Sequence, residues 1–401
     1  MRFYIALLFT FLQLNAQSGI ISGFISDSSS AEALIGANVI LQETGQGMAT
    51  DINGYYIIQD ITPGDYVLMV SYVGFKLKKE KLKISDGQSI KLDISLSEDV
   101  VELTQIEVTA EQIQRKSNIQ PSKINLSPRM MKAAPALAEP DLFRTIQALP
   151  GVLTTSEFST GLVIRGGNTD QNLILLDGVT VYNPSHLGGI FSNFIVDGVK
   201  EAELIKGAYN AEYGGRLSAV LNIISREGNQ KKFEGKANLS LLSAQATIEG
   251  PFYKGAWVFS GRRTYFDKIF QNVPTIPPYY FYDIQSRIYT DLTSKDRLSL
   301  SFYNGVDDLL FDTFGLTGRW GNRTVSAQYR RVFSEKLIGN FLYANSLFFT
   351  EFGLGGSNGL VSDNQIDDAT VAANFSWFKS SESTLKFGAQ MKTLGFLYTN
   401  S

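Results

Sequence analysis

GLVIRGGNTDQNLILLDGVTVYNPSHLGGIFSNFIVDGVKEAELIKGAYNAEYGGRLSAVLNIISR, residues 161–226, decides how this chain is read. Its apolar runs, Leu173 to Leu176 and Val220 to Ile224 among them, are separated by turn residues rather than helix caps, so the stretch reads as a small β domain punctuated by glycine. Asp177-Gly178 stands between LILL and VTVY. Such a pair between two β-prone runs predicts a type I′ hairpin, because that turn needs positive φ at both central residues, and it fixes one strand register.

Five motifs follow in order: IRGG, the DGV hairpin, YNPSHLGG, ELIKG and YGGRLSAVLNI. Together they resemble the plug domain of TonB-dependent outer-membrane receptors of the Bacteroidetes type. The resemblance implies a plug over residues 113–228, with motif residues Arg165, Gly166, Gly167, Asp177, Gly178, Tyr213, Gly214, Gly215 and Arg216. In that family, arginines at the places of Arg165 and Arg216 are buried between plug and barrel wall. There a guanidinium must find carboxylates, since an unpaired buried charge is very costly. The alternative, on the residues alone, is that both arginines are solvated turn residues. His186 either faces ligand from its plug loop or is a hydrogen-bonded loop residue.

Before this stretch, Glu139 to Gly151 predicts a short helix, with Pro140 at the first helical position, Leu142, Ile146 and Leu149 at helical spacing, and Pro150-Gly151 as its end. Residues 98–139 are polar, proline-bearing and poor in aromatics, which describes a linker into the plug. Within its first part, residues 98–112, one run alternates: Val101, Glu102, Leu103, Thr104, Gln105, Ile106, Glu107, Val108, Thr109, Ala110. It resembles the TonB box, the segment offered to the energy-transducing protein TonB. The chemistry would be addition of an edge strand to a partner. The alternative is a last strand of the preceding domain or a first strand of the plug.

Residues 18–97 read as a separate β-sandwich of about seven strands. Candidates are Ile20 to Ile25, Ala37 to Gln42, Tyr55 to Ile58, Tyr66 to Tyr72, Leu77 to Ile84 and Ile90 to Leu96. Turn chemistry sits at Asn53-Gly54 and Pro63-Gly64, the latter suited to a type II turn. The stretch from GANV through TDINGYYII to ITPGDYVLMVSYVGF resembles the carboxypeptidase-regulatory-like domain found before such plugs. A zinc peptidase needs three protein ligands, usually including two histidines, and this chain has one His and no Cys, so no enzyme and no cofactor are expected. The domain is either a periplasmic extension that contacts a partner or a folded spacer. Residues 1–16, with Arg2, a short apolar core from Phe3 to Leu12 and Ala16, read as a signal peptide. That core is too short to span a bilayer as a helix.

Past the plug, residues 229–401 read as the first part of a transmembrane β-barrel. Short polar turns recur at Pro251 to Gly255, Thr293 to Asp296, Ser334 to Lys336 and Ser380 to Ser383. Each interval holds two alternating strands and one longer loop. Leu298, Leu300 and Phe302 alternate with Ser299, Ser301 and Tyr303, and similar alternation runs through Val371 to Trp377 and Leu385 to Lys392. About nine strands fit, with Phe233 to Glu249 split around Ser243. Plugged barrels have about 22, so the chain is expected to be a fragment that cannot close alone. Tyr279 to Tyr282 and Phe348-Phe349 are candidates for aromatic girdles.

The fold expected is therefore mainly β: an N-terminal β-sandwich, an α+β plug domain and an incomplete antiparallel transmembrane β-barrel. The composition fits an envelope protein, with 27 Phe, 18 Tyr and 36 Gly. A balance of 36 basic against 39 acidic residues argues against a nucleic-acid partner. The resemblance implies TonB-dependent active transport of a scarce nutrient (iron chelate, cobalamin, oligosaccharide or peptide) across the outer membrane, with the sandwich in the periplasm. Its partners would be TonB with its inner-membrane energising complex, outer-membrane lipid, a small-molecule or oligomeric ligand and a possible surface lipoprotein. The competing reading is a non-transporting surface binding or adhesion protein on the same scaffold.

Overall fold

The computed structural model describes residues 18–99, 123–134 and 139–400, apart from loop positions 155, 157–158, 271, 274–275, 277, 312–314, 356–358 and 381–382. The expected signal peptide and the alternating run Val101 to Ala110 lie outside these residues. The chain forms two compact units, the N-terminal sandwich and a larger unit of central domain and strand wall.

In the sandwich, β1 (Gly19–Asp27), β2 (Asn38–Leu41), β3 (Gly47–Ala49), β4 (Tyr55–Ile61), β5 (Gly64–Ser71), β6 (Lys78–Ile84), β7 (Ser89–Lys91) and β8 (Ile94–Leu96) make two sheets. One has the order β4-β1-β7 with β8 also on β1, and the other β3-β2-β5-β6. Ile21, Ile25, Val39, Leu41, Tyr56, Leu68 and Val70 from both sheets meet in one core. Asn53-Gly54 forms the expected turn, with Gly54 at φ +74° and the Asp51 carboxylate accepting the Asn53 and Tyr55 N–H groups. Pro63-Gly64 does not form a type II turn. Gly64 lacks positive φ because it opens β5, and β4 and β5 belong to different sheets, so the connection crosses the sandwich instead of folding a hairpin. The short β3 escaped the sequence reading, and the run Ile90 to Leu96 divides into β7 and β8.

The central domain contains β9 (Lys123–Leu126), α1 (Pro128–Ala133), α2 (Leu142–Gln147), β10 (Val152–Thr154), β11 (Leu162–Ile164), β12 (Leu173–Leu176), β13 (Val179–Thr180), β14 (Ser185–His186), β15 (Phe191–Ser192), β16 (Val199–Ile205) and β17 (Val220–Ser225). Its main sheet has the order β13-β12-β17-β16-β9. Here β12 runs parallel to β17 and β16 antiparallel to it. Leu126, Leu142, Phe143, Ile146, Leu176, Leu204 and Leu221 pack into one core between helices and sheet. Two expectations change. Within the expected linker, β9 and α1 are structured, with Ser127 capping α1 and Pro128 in its first turn. And α2 starts after Asp141, whose carboxylate accepts the Phe143 and Arg144 N–H groups, so Pro140 precedes the cap instead of opening the helix.

The wall is one nine-stranded sheet in sequence order: β18 (Glu234–Leu239), β19 (Ser243–Phe252), β20 (Gly255–Thr264), β21 (Tyr279–Asp291), β22 (Asp296–Phe311), β23 (Leu316–Ser334), β24 (Leu337–Leu354), β25 (Leu360–Ser380) and β26 (Ser383–Asn400). The strand count, the split near Ser243 and the first three short turns are as expected, positions 381–382 of the fourth lie outside the described residues, and the sheet is not closed among the described residues. Two rows across it settle what kind of sheet it is. Tyr303, Thr324, Ser346 and Asp368 are register partners and all at most 4% exposed. On the other face the row Leu300, Ala327, Tyr343 and Val371 is apolar, with Leu300 48%, Tyr343 60% and Val371 51% exposed. Polar residues buried and apolar residues exposed is the inverse of a soluble sandwich and the pattern of a membrane barrel. Strands β21 to β26 run 13 to 21 residues, beyond the 9–11 or so that a tilted strand needs to cross hydrocarbon. No helix among the described residues is long and apolar enough to cross a membrane.

Candidate functional site

The inner face of the wall holds the central domain through buried polar side chains in three groups. The Asp177-Gly178 pair builds the first. Asp177 at φ +51° and Gly178 at φ +80° make the predicted turn, with Leu176 opposite Val179. Asp177 then serves beyond its own turn. One carboxylate oxygen accepts the Ser225 N–H at 2.9 Å and Arg287 Nη1 of β21 at 2.8 Å, and its carbonyl accepts Gln328 Nε2 of β23 at 2.5 Å. Nearby, Glu227 is surrounded by Lys200, Arg287 and Arg297 at 3.4–4.0 Å. Burial raises its carboxyl, but Lys200, then Arg297 and Arg287, outweigh this and hold it well below the usual carboxylate range.

The second group runs from β13 into the YNPSHLGG loop. Ser346 Oγ donates to Thr180 O at 2.6 Å, Tyr182 Oη to Asp368 Oδ2 at 2.9 Å, and Asn322 Nδ2 to Asn183 O at 2.6 Å. Lys392 Nζ reaches Thr180 Oγ1 at 2.9 Å and Asp368 at 3.4 Å.

The third group is the deepest. Arg262 of β20 donates to Glu139 Oε1 at 2.6 Å, to Ser192 O at 2.7 Å and to Asp283 Oδ2 at 2.5 Å. Glu139 also accepts Ser243 Oγ at 2.5 Å. His186 lies between Asp283 and Asp307, and its ring stacks on Phe281 at 4.1 Å and 7°. Phe191, Tyr279 and Phe281 form an apolar contact beside it, joined by Leu187 and Trp320.

The sequence-predicted residues divide. Asp177 and Gly178 are at the interface. Arg165 is exposed, at φ +49° in its turn, and Arg216 is half-buried near the exposed Gly214 and Gly215, so the arginines buried against carboxylates are Arg262 and Arg287 of the wall instead. Gly166 has φ +79° and open space around it, whereas a Cβ on Gly167 would meet the Ser218 side chain at 2.5 Å. Tyr213 packs on Leu173, Leu175, Ile205 and Val220. His186 is fully buried with both nitrogens engaged, which removes it from ligand reach. Tyr279 and Phe281 turn inward to cover it, so that part of the expected girdle faces the central domain. The alternation of each wall strand carried the missed signal: period two puts Tyr279, Phe281, Asp283, Gln285 and Arg287 on one face.

A domain packed inside a barrel wall and hung from it by ion pairs is the architecture of a plugged outer-membrane receptor. The TonB-dependent Receptor Plug Domain family matches residues 126–220, and the CarboxypepD_reg-like domain family matches residues 21–108. A TonB-dependent receptor of Formosa agariphila is 30% identical over 250 residues, 58% of this chain and 23% of that protein. The TonB-dependent transporter Oar of Myxococcus xanthus is 24% identical over 229 residues, 54% of this chain and 21% of its own. A mutant of the ferric enterobactin receptor of Pseudomonas aeruginosa shares the fold, with a TM-score of 0.52 at 17% identity over 70% of this chain and 50% of that one. The chain spans about a quarter of the length of the curated relatives it matches. It resembles the TonB-dependent receptors over these matches, with a carboxypeptidase-regulatory-like domain, a plug-like domain and barrel-like strands following one another along the chain.

Proposed function

We propose that this chain is the plug-bearing part of an outer-membrane transporter energised by TonB. Ligand is captured on the outer side, the plug blocks the lumen, and TonB engages Val101 to Ala110 and draws on the plug to open a path, with no bond of the ligand broken. The sandwich would lie in the periplasm. The observation that supports this best is the character of the plug seat: donors and acceptors such as Arg262, Gln328 and Ser346 hold the plug. Water can replace such contacts one for one when the plug moves, so each neutral one costs about 0.5–1.5 kcal/mol net to exchange if water enters, and each charged one about 1.5–3. An all-apolar seat would have to expose its whole area to water. The similarity to proteins named as a receptor and a transporter supports this reading.

The test is deletion of Val101 to Ala110 from the full-length protein. Uptake should be abolished while surface binding of ligand stays intact. Undiminished uptake would sink the TonB-box assignment, and a wild type that binds ligand but never takes it up would favour the adhesion protein.

A further inference from the structure

His186 is the sole histidine of the 401 residues, and a carboxylate oxygen faces each of its ring nitrogens. Nδ1 lies 2.7 Å from Asp307 Oδ2 and Nε2 lies 2.9 Å from Asp283 Oδ1. An ionised carboxylate only accepts, so two such partners require a hydrogen on both ring nitrogens. Donors fill the remaining contacts of both carboxylates. Asp283 takes Arg262 Nε, Arg262 Nη2 and Tyr303 Oη, while Asp307 takes the Leu187 N–H and Tyr279 Oη. Charge balance agrees. Against Asp283, Asp307 and Glu139 stands Arg262, so a neutral imidazole would leave the buried group two negative charges out of balance and an imidazolium leaves one. The Asp141 carboxylate, the next acid along, is occupied by the N–H groups of Phe143, Arg144 and Ser192.

We propose that His186 is a proton latch: as a doubly donating imidazolium it ties the plug loop 183–191 to carboxylates on two adjacent wall strands, and lifting the loop releases the proton to water. The proposal deepens the transport reading, since it supplies the regulation of the same seat, and it rests on the plug being displaced in function. Burial opposes the charge on His186, but Asp283 and then Asp307 outweigh it and hold its pKa up to about 9. Once in water the ring returns to about 6.5. The folded value is the higher one, so the latch is fully made below about pH 6.5 and is lost as pH rises through about 9. One linked proton shifts the opening equilibrium about tenfold per pH unit within that window. Glu201, another plug group with a raised value, titrates from its ordinary range up to about 7 and so acts in a lower window.

The experiment uses the full-length protein in planar bilayers, with urea to loosen the plug and conductance through the lumen as readout, from pH 5.5 to 9.5. Wild type should open about tenfold more readily per unit between pH 7 and 9. In His186→Asn the slope above pH 7 should vanish. An equal slope in His186→Asn, or a flat wild type, would overturn the latch. If His186→Asn fails to insert, Asp307→Asn serves instead: with one carboxylate gone the slope should end at a lower pH, and an unchanged upper limit refutes the proposal. Neither TonB nor ligand is present, so loss of the transport reading through the deletion test would leave this result standing, and the reverse.

Discussion

Arg262 and Asp283 face each other across strands β20 and β21 as register partners, and each also binds the plug, Arg262 through Glu139 and Asp283 through His186. Both side chains are at most 2% exposed. The pair is therefore a joint between wall and plug as much as a contact within the wall.

Arg262→Ala strips the counterion from Glu139 and Asp283 at once. Removing one partner of a buried pair costs on the order of 3–5 kcal/mol. The expected result is a loosened plug, read as raised sensitivity of cells to a large antibiotic at equal expression of the full-length protein. Wild-type sensitivity would mean that the seat does not depend on this residue.

Arg165→Ala is the contrasting case. An exposed guanidinium contributes roughly 0–1 kcal/mol through surface contacts, so permeability should stay at the wild-type level. A permeable Arg165→Ala strain would show that Arg165 helps to seat the plug.

The hairpin at Asp177-Gly178 separates turn from charge. Asp177→Asn keeps a residue that tolerates positive φ but loses the ion pair to Arg287, and hydrogen bonds to charged groups are worth about 1.5–3 kcal/mol. Gly178→Ala keeps the charge and strains the turn by about 1–2 kcal/mol. Both should lower the urea concentration that opens the lumen, and only the first should make that midpoint less sensitive to Arg287→Gln added in the same protein, since Arg287 also faces Glu227.

Glu201 gives a pH test inside the plug sheet. Burial, then Glu203, raises its pKa to about 7 against the pull of Lys123 and Lys200. The nearby Lys123 pairs with Glu203 instead. The folded carboxyl keeps its proton to about 7 and the unfolded one gives it up near 4.5, so plug stability falls across that interval and the penalty is complete above it. Glu201→Gln should match wild type near pH 4 and exceed it by about 3 kcal/mol at pH 8, measured from urea midpoints. A variant less stable than wild type at pH 8 would refute the assignment.

What could be read from the sequence was what is local. Asp177-Gly178 encodes its own φ angles, and the spacing of short turns encodes strand length, so the hairpin and the nine wall strands were legible. Pro63-Gly64 and Pro140 misled because their local preferences were overridden, one by a crossing between sheets and the other by the stronger cap at Asp141. The plug seat was hidden for a different reason. Arg262 and Glu139 are 123 residues apart and His186 and Asp307 are 121 apart, and no pattern within a strand names its partner on another domain. Arg165 stood out by motif, while Arg262 sat unnoticed at an inward position of an ordinary alternating strand.

The seat contacts come from plug segments well separated along the chain: Glu139, then Asp177 to Tyr182, then His186. On the transport reading proposed above, tension entering through the chain before Lys123 would meet them in that order and load one anchorage while the later ones are still slack. The force required at any instant is then that of a single anchorage, as in peeling tape, so a seat firm enough to keep the lumen shut at rest can yield to a weak motor that pulls from one end.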